Sequence, residues 1–194
     1  PGDYSFHADT LLEKIRSVSS GARALLIAGS RPSFWPEDLY PRIASAARKD
    51  GILLMVDYRG KDLLATLAEA VPSIVKINDR EFCETFACPA QINEEQLEWE
   101  VAERSREYKT IFVVTRGTRD TIAAKNGTVY KKAVSPAHVR NIIGCGDSFS
   151  AGFLHSFVET GSIEAALDIG TDCAGRNAAV NRPGSIIPER ESNE

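Results

Sequence analysis

No apolar run among the 194 residues approaches the roughly 20 that a helix needs to cross a bilayer. The opening stretch PGDYSFHADT has neither the basic start nor the apolar core of a signal peptide. A basic stripe is missing too: with a formal net charge of −4, lysines and arginines are scattered among acids, which argues against nucleic-acid or anionic-lipid binding. The four cysteines, Cys83, Cys88, Cys145 and Cys173, lack paired CxxC spacing, so reduced thiols are expected rather than zinc ligands or disulfides. His7, His138 and His155 have no partner at metal or relay spacing, and Trp35 and Trp99 read as packing or surface groups. There is no fixed-period repeat, no low-complexity linker and no GxxxxGK(S/T) phosphate loop. What remains is a chain of 43% hydrophobic content, suited to one α/β domain over residues 1–194, with small-molecule chemistry and a cytoplasmic address as expectations.

Apolar runs alternate with amphipathic stretches, the grammar of a mainly parallel sheet flanked by helices. Helices are predicted over 8–19, 36–50, 61–70 (stopped by Pro72), 93–107, 147–159 and 162–180, the last two split at Gly161. Strands are predicted at Ala24–Ala28, Ile52–Asp57, Ser73–Ile77 and Ile111–Thr115. Asn126-Gly127, between TIAAK and TVYKK, signals a hairpin and hence an antiparallel edge. Ligands of such sheets bind beyond strand C-termini, where Gly29-Ser30, Asn78 and Glu81 fall.

The segment NIIGCGDSFSAGFL, residues 141–154, sets two glycines around one small residue, then an acid, then a helix with Phe149, Phe153, Leu154, Phe157 and Val158 on one face. Glycines just ahead of a helix let its free N–H groups converge on an anion, and the helix dipole adds positive charge there. From the residues alone, Asp147 fits either a complement to that dipole or a chemical role. GCGDSF lacks the third glycine and companion acid of a dinucleotide fingerprint.

Asn141, Gly144, Cys145, Gly146 and Asp147 resemble the Gly-Ala-Gly-Asp signature of the ribokinase/PfkB carbohydrate kinase family, in the variant of its fructose-1-phosphate and tagatose-6-phosphate kinase branch. Other segments agree in order. Ala28-Gly29-Ser30-Arg31-Pro32 resembles a Gly-Ser-Leu-Pro turn, with Arg31 at the usual leucine, and Lys76 to Glu81 resembles Lys-Pro-Asn-x-x-Glu, with Ile77 at the proline. Thr115 to Asp120 resembles the strand-end loop around the ATP phosphates and ribose, with Arg116 and Asp120 at commoner Leu and Gly. Residues 174–185 resemble the terminal helix and its Arg-Pro-Gly end, and Cys173 stands where ribokinases often carry an adenine-side Asn.

The resemblance implies a ribokinase-like fold and ATP-dependent phosphoryl transfer to a sugar or sugar phosphate, with ATP and Mg2+ as cofactors. It assigns the anion hole to the N–H groups of Gly144, Cys145, Gly146 and Asp147, and the catalytic base to Asp147. Asn78, Thr115, Gly117, Thr118, Asp120 and Gly146 would contact the nucleotide, and Glu81 the magnesium water network. For Asn78 and Glu81 a helix capping box is the alternative. The match begins partway into the family pattern, and the chain opens on Pro1, so the family's N-terminal part and β lid are expected to be absent. A non-catalytic nucleotide-binding or regulatory fragment, and a homo-oligomer paired through open sheet edges, are the alternatives this raises.

Overall fold

A computed structural model describes residues 5–89, 91–135 and 139–186; His138 lies outside them. The chain forms two compact units that divide between Lys131 and Lys132. The first carries α1 (Ser5–Ser19), β1 (Ala24–Ala28), α2 (Leu39–Lys49), β2 (Leu53–Asp57), α3 (Gly60–Glu69), β3 (Ile74–Asn78), α4 (Asp79–Phe86), α5 (Glu94–Tyr108), β4 (Ile111–Arg116), β5 (Arg119–Lys125) and β6 (Thr128–Lys132). The strands form one sheet in the order β1 to β6. Strands β1 to β4 run parallel and β5 pairs antiparallel with β4, giving the mostly parallel sheet with an antiparallel edge that the hairpin signal predicts.

The apolar runs are explained by burial on both sheet faces. Leu54, Val56, Val75, Ile77, Phe112, Val114 and Ile122 join Ile43 of α2, Leu63 and Leu67 of α3, Phe82 of α4 and Val101 of α5 in one cluster. Met55, Ile74 and Val113, one residue out of phase, are fully buried as well. A strand buried on both sides needs apolar side chains at consecutive positions, and each one contributes about 1.5–3 kcal/mol.

The hairpin turn is gripped by α5. Asn126 and Gly127 both take positive φ, 50° and 82°, as a type I′ turn requires. The Gly127 N–H donates to Ser105 Oγ at 2.8 Å. A Cβ on Gly127 would lie 2.0 Å from Arg106 Nε, so no other residue fits without moving that side chain. The start of α5 is held by charge. Arg116 closes β4 with its side chain only 1% exposed, and its Nη1 lies 3.0 Å from Glu94 Oε2. That contact is a charge pair rather than an aligned hydrogen bond. Lys131 Nζ donates to Glu94 Oε1 and Glu98 Oε1, both at 2.7 Å.

The second unit consists of α6 (Cys145–Thr160) and α7 (Ile163–Ala178) with their flanking segments. Gly161, in the left-handed region, ends α6, and the Ser162 hydroxyl caps α7 by accepting from the Ala165 N–H. The helices approach closely at two glycines. A Cβ on Gly152 would meet Cys173 Sγ at 2.8 Å and the Ile169 carbonyl at 3.0 Å, and one on Gly170 would meet Phe149 at 3.1 Å.

Several boundaries differ from expectation: α1 begins at Ser5 rather than 8 and α7 ends at Ala178 rather than 180, and for two helix starts the cause is visible. Helix α6 begins at Cys145 rather than 147, because Gly144 adopts φ 77° and starts the helix early, which makes Asp147 its third residue. Helix α2 begins at Leu39 rather than 36, since residues 32–39 are drawn into turns by Trp35 N–H to Pro32 O and Leu39 N–H to Pro36 O bonds.

Two measurements test this packing. Ala exceeds Gly in helix propensity by about 1 kcal/mol, but crowding a tight contact costs about 1–3 kcal/mol. Gly152→Ala should therefore lower the denaturant midpoint, and Gly175→Ala, whose Cβ would meet nothing within 4 Å, should raise it; the reverse order would refute the close approach. The Arg116 guanidinium, ahead of Lys131, holds the Glu94 carboxyl down from 4.5 to about 2. A depressed carboxylate stabilises the fold above its unfolded value and loses that contribution as pH falls toward the folded one. Stability of the native protein should thus fall more steeply between pH 4.5 and 2 than that of Glu94→Gln, and parallel curves would remove the charge pair from the account.

Candidate active site

The N-terminus of α6 is built on one unusual backbone position. Gly144 is the N-cap residue at φ 77°, ψ 3°, a conformation that costs other residues strain, and no side chain caps the helix there. Helices α4, α5 and α7 differ, each having a side-chain oxygen on an early N–H. At the start of α6 only Cys145 N–H turns inward, to Ile142 O at 3.4 Å, and Ser148 N–H closes the first helical bond to Gly144 O at 2.9 Å. The N–H groups of Gly146 and Asp147 thus belong to the first turn, where a helix has no internal acceptors. Asp147 is exposed in that turn, and the helix below it is anchored by buried Phe149, Phe153 and Leu154. Gly144, Cys145, Gly146 and Asp147 therefore lie together, around N–H groups and a carboxylate that can serve an anion and a proton.

In the first unit, the remaining candidate residues gather at the C-terminal ends of β3 and β4, where Asn78 and Thr115 are register partners. The capping box is formed: Asn78 Oδ1 accepts from Glu81 N–H at 2.9 Å, and Glu81 Oε2 from Asn78 N–H at 3.4 Å. Glu81 Oε1 lies 3.7 Å from Arg59 Nε, and the side chain remains 29% exposed. Gly117 and Thr118 are the two exposed residues of a tight turn between β4 and β5. The Asp120 carbonyl accepts from Arg116 Nε at 2.6 Å. An Arg119–Asp79 ion pair joins this turn to the start of α4, so the 78–81 and 115–120 segments adjoin.

Two features were missed in the sequence. Lys76 and Asp57 form an ion pair at 2.8 Å with side chains 7% and 15% exposed, beside the Asn78 end of β3. A lysine inside a run that reads as a buried strand was the available signal, since a buried charge needs a partner. Asn177, fully buried in α7, bonds to the loop before α6, and nothing in its spacing marked it. The Arg31 of the Gly-Ser turn is saturated by Asp62 and the Trp35 carbonyl, which makes it a local brace. All four cysteines are free thiols, and burial pushes Cys88 up to about 12, away from nucleophilic use. Trp99 is 61% exposed and Trp35 packs partly against the core, as expected of surface and packing groups. Among the described residues no helix is long and apolar enough to cross a membrane.

Comparison with known proteins bears on this geometry. The chain matches the description "pfkB family carbohydrate kinase" over residues 2–191. It is similar to the 1-phosphofructokinase of Bacillus subtilis (strain 168), at 28% identity over 186 residues, covering 92% of this chain and 60% of that protein. It is also similar to a tagatose-6-phosphate kinase of Staphylococcus epidermidis, at 25% identity over 166 residues, covering 85% of this chain and 54% of that protein. Among solved structures, phosphofructokinase-2 from Escherichia coli in complex with potassium matches with a TM-score of 0.83 at 23% identity, covering 94% of this chain and 58% of that one. The chain therefore spans little more than half the length of the proteins it matches. The fold is the ribokinase-like α/β fold, and with glycines, acid and strand ends in the family's order, the chain belongs to the pfkB family of carbohydrate kinases.

Proposed function

We propose that this chain is the nucleotide-binding and catalytic portion of a kinase that transfers the γ-phosphate of ATP to a hydroxyl of a phosphorylated ketohexose, with fructose 1-phosphate as first choice and tagatose 6-phosphate as second. The observation that carries the reading is the α6 N-terminus, which has no side-chain cap and holds Asp147 in its first turn, in a chain of this family. The transferring phosphoryl group bears charge on its oxygens, and catalysis of such transfer is mostly positioning and electrostatic stabilisation. The N–H groups of Gly144 to Asp147 would take that charge, with Cys145 giving up its 3.4 Å bond to Ile142 O, and Asp147 would accept the proton of the attacking hydroxyl.

Asn78, Thr115, Gly117, Thr118 and Asp120 are the proposed nucleotide contacts of the first unit. Asn78 and Thr115 at the C-terminal ends of the parallel strands β3 and β4, and Gly117, Thr118 and Asp120 just after β4, support this role by their position. Magnesium, when bound, would neutralise phosphate charge. Glu81 fits a water-mediated hold on it: it is one partly exposed carboxylate, and no group of three metal-ligating side chains occurs among the described residues. Magnesium keeps several waters and rests on substrate phosphates rather than in an all-protein cage, so a single carboxylate suits it. A homo-oligomer is proposed on β1, an edge strand whose Leu25, Leu26 and Ile27 are only half-buried.

The test is magnesium-dependent ADP release with a panel of sugars and sugar phosphates, alongside ATP binding by calorimetry on the same preparation. Turnover with either ketohexose phosphate supports the kinase reading. ATP binding without turnover supports instead a nucleotide-binding or regulatory portion, and neither would sink both. In an active preparation Asp147→Asn should cut turnover by about 10²–10⁴ while ATP affinity stays within about threefold. Equal turnover would remove Asp147 from the proposed role.

A further inference from the structure

The loop ahead of α6 hangs from the end of α7 by two asparagine side chains. Asn177, at 0% exposure, donates through Nδ2 to the Ile143 carbonyl at 2.8 Å and to Cys145 Sγ at 3.4 Å. Its Oδ1 accepts from the Gly184 N–H at 2.8 Å. These partners determine the orientation of the amide: turned over, its oxygen would face the Ile143 carbonyl and its NH₂ the Gly184 N–H, two repulsive contacts. Asn141 answers from the loop side. Its Nδ2 donates to the Val180 carbonyl at 2.7 Å and the Asn177 carbonyl at 3.3 Å, and its Oδ1 accepts from Ile143 N–H at 2.7 Å. Backbone bonds from Arg140 and Asn141 N–H to Ala178 O complete the attachment. Gly144 rests on this base, since a Cβ there would lie 3.5 Å from Pro183 Cβ and 3.8 Å from the Asn177 amide atoms.

We propose that Asn177 is the positioning residue of the anion-binding loop, setting the direction of the Gly144–Asp147 N–H groups from the Arg182-Pro183-Gly184 turn before any phosphoryl group arrives. Its catalytic consequence rests on the phosphoryl-transfer reading above; its structural consequence rests on the hydrogen bonds alone. Oriented donors stabilise developing charge without rearranging, and a loop displaced by about 1 Å can lose about 10²-fold in rate. Only a side chain with a donor and an acceptor on one rigid plane bridges a carbonyl on one side and an N–H on the other. Leucine or alanine in this slot would leave both backbone groups without these partners.

The experiment separates the two ends of that amide. Asn177→Asp retains an acceptor for Gly184 N–H but has no donor for Ile143 O, whereas Asn177→Ala lacks both. In the whole chain, amide hydrogen exchange read by NMR should quicken about tenfold or more at Gly184 in Asn177→Ala alone, and in both variants at Ile143, whose N–H is held by Asn141 Oδ1 and loosens once Asn177 no longer fixes its carbonyl, with mid-α6 amides unchanged. In an active preparation kcat should fall about tenfold or more, with KM for ATP moving less than about threefold. Unchanged exchange at Ile143, exchange quickened equally along α6 and α7, or native kcat despite a loosened Ile143 would each overturn the proposal. A native chain that turns over no sugar phosphate refutes the phosphoryl-transfer reading, while the exchange pattern still decides the role of Asn177.

Discussion

A parallel sheet buried on both faces leaves its strands almost no room for polar side chains except at their ends. In β2, β3 and β4 nearly every side chain is buried, and the polar ones cluster at Asp57, Lys76, Asn78, Thr115 and Arg116. Each is accounted for by a partner or by position. Lys76 meets Asp57, Arg116 meets Glu94 and the Asp120 carbonyl, and Asn78 turns into the next helix as its cap. Burying a charge without such compensation would cost more than the fold's margin allows, so the sheet itself confines chemistry to its C-terminal edge.

The same accounting separates the helix starts capped by a side chain, those of α4, α5 and α7, from those of α2, α3 and α6, which have no such cap. At α4 the capping box of Asn78 and Glu81 uses the early N–H groups, so a nucleotide role for these residues must coexist with a structural one. At α6 glycine replaces the cap, and satisfaction of the loop comes from behind, through Asn141 and Asn177. The N–H groups of Arg140, Asn141, Ile143 and Cys145 bond within the protein, whereas those of Gly146 and Asp147, in the first turn, have no acceptor inside the helix. An anion is the partner such an arrangement suits.

The cross-links in the first unit serve a related end. Arg119 with Asp79, and Arg116 with Glu94, join the β4–β5 turn to the beginnings of α4 and α5. Where Arg116 and Asp120 depart from the family's commoner Leu and Gly, the departure has a physical partner: the guanidinium takes the Asp120 carbonyl and the Glu94 carboxylate. A leucine would pack there but would tie nothing to α5.

The sequence alone determined what local rules and pattern can carry. The apolar runs set the strands, Asn126-Gly127 the hairpin, and the glycine pair before Asp147 the position of the candidate anion site, because burial on two faces, positive φ and helix starts leave marks within a few residues. Even there, the α6 start shifted by two residues, since the conformation of Gly144 depends on what supports it. Only the tertiary structure decided which distant residues meet. Asn177 stands 34 positions from Ile143 and Lys76 stands 19 from Asp57, and no periodicity relates either pair. Their partners are set by the packing of α7 beside α6 and by the register of β2 against β3, and a buried amide or ammonium becomes legible only when the group that satisfies it is in view.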